Sequence, residues 1–169
     1  MKKTLILAVL LISAACQQGG VDSKEAASEK ETATIPLKEE PTLILQLDGE
    51  KMAGETIWEC WVEYCSKESA FPSNVYIEGE TDHLQPVSIT RGERVKVRIR
   101  GEKPDQLSYM MQEEGHVESK SVEEDSFSVY GEGKQHFLLT AEWSTEEGDF
   151  QGSKTIGFVL NVKEPEGGT

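Results

Sequence analysis

Residues 42–163 predict an all-β domain built as an antiparallel β-sandwich. Three observations carry that reading. First, apolar residues recur with period two from Thr42 onward. The rows are Leu43, Leu45 and Leu47; Val95, Val97 and Ile99; Phe137, Leu139, Ala141 and Trp143; and Ile156, Phe158, Leu160 and Val162. Such alternation sets one face on a core and one in water. Second, turn-forming residues punctuate the gaps, at Asp48-Gly49, Pro72-Ser73-Asn74, Arg91-Gly92 and Gly131-Glu132-Gly133. Third, no helical period runs through residues 42–163. Shorter runs at 57–64, 74–77, 86–90, 106–111 and 126–130 bring the expected strands to eight or nine, which suits one sandwich. A small closed barrel has the same periodicity and is the rival architecture.

Ahead of this domain lies an export signal. Lys2 and Lys3 give a positive start, Leu5 to Ile12 are eight apolar residues, and Ala14-Ala15 place small residues before a cut. A membrane span needs about 20 apolar residues. The chain turns polar at Gln17-Gln18-Gly19-Gly20, so residues 1–15 read as a removable signal peptide. The run Leu11-Ile12-Ser13-Ala14-Ala15-Cys16 resembles the lipobox of bacterial lipoproteins. The resemblance implies a diacylglycerol on Cys16, cleavage just before it, and attachment to the extracytoplasmic face of the cell membrane. Secretion without the lipid is the competing reading.

Residues 16–41 then read as the lipidated cysteine and a disordered tether. Gln17 to Pro41 is rich in Gln, Gly, Ser, Ala, Glu and Lys, with no aromatic residue. Such a stretch buries too little apolar surface to offset its ordering entropy. As a coil it would span roughly 25–30 Å. Residues 164–169 read as a disordered tail. Loss of residues 1–15 would leave 154 residues and shift the formal charge from −14 to −16. An acidic balance of this size argues against nucleic acid and against electrostatic adhesion to anionic lipid. The membrane contact is expected through the lipid on Cys16, since two acyl chains hold where one does not.

With Cys16 taken by lipid, Cys60 and Cys65 remain. Export implies an oxidising compartment, where two such cysteines pair. Five residues of straight strand cover about 16 Å, and a disulfide needs α-carbons within about 7 Å. A Cys60–Cys65 bond therefore ends a strand near Cys60 and folds the chain back. The flanking segment holds Trp58, Trp61, Tyr64, Phe71 and Tyr76. One reading makes these aromatics core, with a tryptophan against a disulfide as in immunoglobulin-like domains. The other makes Trp58, Trp61, Tyr64 and Phe71 a candidate binding surface. Trp58 and Trp61 would not share a face of a regular strand.

The Cys60-Trp61 pair with Cys65 close behind resembles small envelope lipoproteins of Gram-positive bacteria. So does the strand pair Phe137-Leu138-Leu139-Thr140-Ala141-Glu142-Trp143 and Thr155-Ile156-Gly157-Phe158-Val159-Leu160-Asn161-Val162. The resemblance implies an immunoglobulin-like sandwich at the cell surface and no particular activity.

Arg91, Arg94, Lys96, Arg98, Arg100 and Lys103 form a basic row in an acidic chain. Arg94 to Arg100 place four cations on one side of a strand, either as an anion site or as a solvated face paired with acids on neighbouring strands. The clusters Glu113-Glu114, Glu123-Glu124-Asp125 and Glu146-Glu147-Asp149 lack the spacing of a calcium loop and read as turns. His83, His116 and His136 are scattered; Met110, Met111 and His116 offer soft ligands without a cysteine or a second histidine nearby. No metal site, cofactor or catalytic residue is expected, and no Gly-x-Ser-x-Gly marks a nucleophile. The function expected is a lipid-anchored, non-catalytic interaction module, its partner an envelope protein or glycan. The alternative is a protease-inhibitor-like sandwich acting through an exposed Cys60–Ser73 loop.

Overall fold

The computed structural model describes residues 37–70 and 75–165. The signal peptide, Cys16, most of the tether, Phe71 and residues 166–169 lie outside the described residues. Ten strands and two short helices follow in the order β1 Thr42–Leu47, β2 Glu50–Lys51, β3 Glu55–Trp61, α1 Lys67–Ala70, α2 Ile77–Thr81, β4 Val87–Thr90, β5 Arg94–Arg100, β6 Gln106–Glu113, β7 His116–Ser121, β8 Ser126–Ser128, β9 Gly133–Ser144 and β10 Phe150–Lys163.

The strands form two sheets packed as a sandwich. One is four-stranded, in the order β2-β1-β5-β8; the other runs β3-β10-β9-β6-β7, with β4 beside β10. Every pairing is antiparallel except that of β4 with β10, from Val87 beside Leu160 to Thr90 beside Lys163. The alternating rows meet between the sheets. Leu43 and Leu45 of β1 and Val95 and Val97 of β5 face Phe137, Leu139, Ala141 and Trp143 of β9 and Ile156, Phe158, Leu160 and Val162 of β10 in one buried cluster. Phe137 stacks on Phe158 at 4.9 Å, and Tyr109 on Phe127 at 4.4 Å. Each such ring removed from water contributes about 1.5–3 kcal/mol.

The central strands β9 and β10 are buried on both faces. The chain between β3 and β4, carrying α1 and α2, covers the second face. Ala70, Ile77 and Thr81 are buried there, as are Cys60, Leu138 and Val159, all outside the main cluster. Thr140 and Thr155 share a hydrogen bond of 2.9 Å on this face. Gly157 admits α2 at close range, because a methyl group on it would stand 2.8 Å from the Thr81 methyl and from Ile57.

Four expectations need correction. The expected strand over 74–77 is not found at the described residues 75–77; Ile77 opens α2 instead. The segment is too short for periodicity to separate the two states, and burial of Ile77 and Thr81 against the sheet decides for helix. Two strands were not expected. β2 is only two residues long, paired through a turn in which Asp48 and Gly49 take positive φ of 50° and 83°. All six residues of β7 are exposed, so it carries no apolar alternation. Its hairpin with β6 turns on Glu114 and Gly115, with φ of 49° and 83°. The tether's last residues belong to the domain: Leu37 packs against the core and Pro41 is buried. Single apolar residues in a polar stretch carry no period. At the other end, Glu164 is tied to Arg91 at 2.7 Å.

Candidate functional site

The outer face of the four-stranded sheet is built by register. On β5, Val95 and Val97 point inward, so Arg94, Lys96, Arg98 and Arg100 point outward. Their partners on β1 are Gln46 beside Lys96, Ile44 beside Arg98 and Thr42 beside Arg100. Gln46 also pairs with Lys51 of β2, and on the far side Ser126 and Ser128 of β8 stand beside Lys96 and Arg94. The face thus gathers five cations and no acid at any paired position. Arg94 donates to Ser126 Oγ at 2.7 Å. Among the described residues, Lys51, Lys96, Arg98 and Arg100 enter no ion pair. Of the basic row, Arg91 pairs with Glu132 and Glu164, but among the described residues the β5 cations find no acid, because Thr, Ile, Gln and Ser occupy the positions beside them.

This arrangement has an electrostatic cost. Alternate residues of a strand lie about 6.7 Å apart. Two like charges at that distance repel by about 0.6 kcal/mol in water before salt screening. Three adjacent pairs along β5 then cost about 2 kcal/mol. A polyanion laid on the face would remove that repulsion.

The disulfide is formed, and its α-carbons lie 5.4 Å apart. β3 ends at Trp61, and the Tyr64 amide donates to the Trp61 carbonyl at 3.0 Å, closing the turn. Cys60 pairs with Ser153 and Trp61 with Gly152, so the two point to opposite faces of β3. Trp61 lies between the sheets, 3% exposed, 5.4 Å from Trp143, its indole donating to Glu59 at 2.8 Å. Of the two readings open for Trp61, core or binding surface, it takes the core. The disulfide and this tryptophan do not share a face, and the bond is local within β3 and its turn. It does not join the two sheets as in antibody domains. Trp58 is half-buried, on the same face of β3 as Cys60. Tyr64 is 63% exposed on the turn. Its phenol is raised by burial and then by the carboxylates of Glu40, Glu59 and Glu63. The three described aromatics therefore do not assemble into one patch: Trp61 faces inward, Tyr64 outward and Trp58 lies between.

The clefts of the sandwich are small, about 130 to 210 Å³. Sites for drug-sized ligands occupy about 300–1,000 Å³. Lys51, Thr42 and Ile44 complete the basic face without having been singled out in the sequence. The signal that could have found them is the strand alternation of Thr42 to Lys51, once paired with β5. No family model, no curated protein and no solved structure matches the chain.

Proposed function

We propose that this chain is an extracytoplasmic lipoprotein, anchored through Cys16, whose sandwich is a non-catalytic module binding an anionic envelope glycan across the β1–β5 face. The unpaired basic face carries this reading. Three arginines offer planar forks that match carboxylate or phosphate oxygens. A regular row of charges on a flat sheet suits a linear polymer better than a small anion. The remaining acids of the chain do not forbid such contact, since charges beyond about 8 Å are screened at physiological salt.

The test uses the full chain with Cys16→Ser, so that no acyl chain contributes. Retention on immobilised heparin, eluted by salt and absent on neutral dextran, is expected. Arg98→Glu with Arg100→Glu should elute well before the parent. Elution of both at the same salt would refute the site, and binding to anionic vesicles without heparin retention would give the face to lipid. The anchor has its own test: the native chain should partition into detergent, and Cys16→Ser should release it.

Tyr64 favours a second reading. It is exposed on a turn closed by a disulfide, the presentation a protease-inhibiting loop needs. Slow cleavage of the 61–66 segment by a chymotrypsin-like protease, with inhibition, would support it.

A further inference from the structure

We propose that Glu78, Asp82 and His136 form a site for a divalent first-row transition metal ion. Glu78 on the first turn of α2 and Asp82, the residue that caps its C-terminus, stand four residues apart, the Asp82 amide donating to the Glu78 carbonyl. His136 lies beneath them on β9. A carboxylate oxygen from each acid and a ring nitrogen of His136 lie within 4.8 Å of one another. One imidazole and two carboxylates are a ligand set for ions of the Zn²⁺ class.

The histidine supplies the second, independent observation. It is 5% exposed and lines a polar cavity of about 150 Å³ with Glu78, Gln112, Glu114, Gly115 and Lys134. Its Nδ1 lies 2.7 Å from Thr81 Oγ1, and that hydroxyl lies 2.7 Å from the Ile77 carbonyl. A carbonyl only accepts, so the single hydroxyl hydrogen points to Ile77. The hydrogen between Thr81 and His136 must then sit on Nδ1. Nε2 is left bare, with no hydrogen-bond partner among the described residues, in the tautomer a metal requires. Thr81 is fully buried and acts as the outer-shell residue that orients the ring. Tyr76 donates to Glu78 Oε2 at 3.0 Å, which leaves the other oxygen for an ion.

Lys134 bears on affinity. Its ammonium lies 2.6 Å from Asp82 Oδ1 and supplies positive charge where the ion would sit. The side chain is 43% exposed and can turn into solvent. A bound ion would tie α2 to β9 and fasten the cover over the second face of the larger sheet.

The test is Zn²⁺ titration of the full chain, stripped with EDTA and held in non-ionic detergent, followed by calorimetry and by ¹⁵N spectra of the histidine rings. One ion per chain is expected, with the Nε2 resonance of His136 moving and its Nδ1–H retained. Asp82→Asn, an exposed change that leaves the core intact, should weaken binding about tenfold or more. Lys134→Met should tighten it about fivefold. His83→Gln with His116→Gln should bind as the parent does. Unchanged affinity in Asp82→Asn, loss of binding in the His83/His116 variant, or a static His136 resonance would overturn the site.

Discussion

Gly152 is the position at which the packing is least forgiving. It pairs in register with Trp61 of β3 on one side and with Trp143 of β9 on the other. The two indoles meet in front of it at 5.4 Å. A methyl group there would stand 1.9 Å from Trp61 Cε3 and 2.4 Å from Cζ3. Ordinary contact begins near 3.4 Å, so the buried ring must retreat by about 1.5 Å. That motion disturbs the tilted contact with Trp143 and the bond to Glu59. Overpacking of this kind costs about 1–3 kcal/mol, and loss of an aromatic pair adds about 0.5–1.5 kcal/mol. Gly152→Ala should therefore lose about 1.5–4.5 kcal/mol, or roughly 6–18 °C in Tm for a domain of this size. Urea denaturation and calorimetry measure both. Gly49→Ala is the control: φ is +83° with no atom within 4 Å, so only backbone strain is felt, near 1 kcal/mol. A double variant with Trp61→Ala should cost little more than Trp61→Ala alone. A Gly152→Ala protein melting within 2 °C of the parent, roughly half a kcal/mol, would refute the account of this corner.

Three further outcomes are expected. Cys60→Ser with Cys65→Ser should lose about 2 kcal/mol, from loop entropy over a short ring, and still fold; a fully unfolded variant by circular dichroism would show that the bond does more than hold the turn. Burial, and then Lys134, lower the pKa of His136 from its ordinary 6.5, so the fold prefers the neutral ring. Its contribution is fully present above about pH 6.5 and is lost as pH falls through the folded value. Metal-free protein should thus show Tm falling below pH 6.5 more steeply than His136→Gln, and parallel curves would contradict this. Finally, Arg98→Gln should raise Tm in low salt by relieving repulsion worth at most about 1 kcal/mol, with the gain fading as salt is added; a lower Tm at every salt would mean that Arg98 has a partner.

Much of the sandwich was legible because half-buried strands announce themselves. Val95 and Val97 between Arg94, Lys96 and Arg98 leave little choice of face. The cover on the larger sheet was not legible as helix. A trace of it lay in β9 and β10, where Leu138 and Val159 make the runs apolar on both parities. A strand buried on both faces needs something on each. β7 was invisible because an exposed edge strand has no reason to alternate. The basic row was visible, but its lack of partners depends on which residues of β1, β2 and β8 stand beside it, and register is a property of the folded sheet. The same limit hid His136 among three scattered histidines: only the pairing of β9 beneath α2 brings it to Glu78 and Asp82.

β10 comes after every strand it pairs with, and this sets the order of assembly. β10 is the hydrogen-bonding partner of β3, β4 and β9 together. Thr56, paired with Ile156, waits for a segment made long after it. Until Phe150 to Lys163 has emerged, β3 and β4 have no sheet to join and the second edge of β9 stays unpaired. Assembly of the larger sheet waits for β10, and the rate is set by contacts between distant parts of the chain. Truncation within Phe150 to Lys163 should accordingly abolish the larger sheet as a unit, without leaving a smaller stable one.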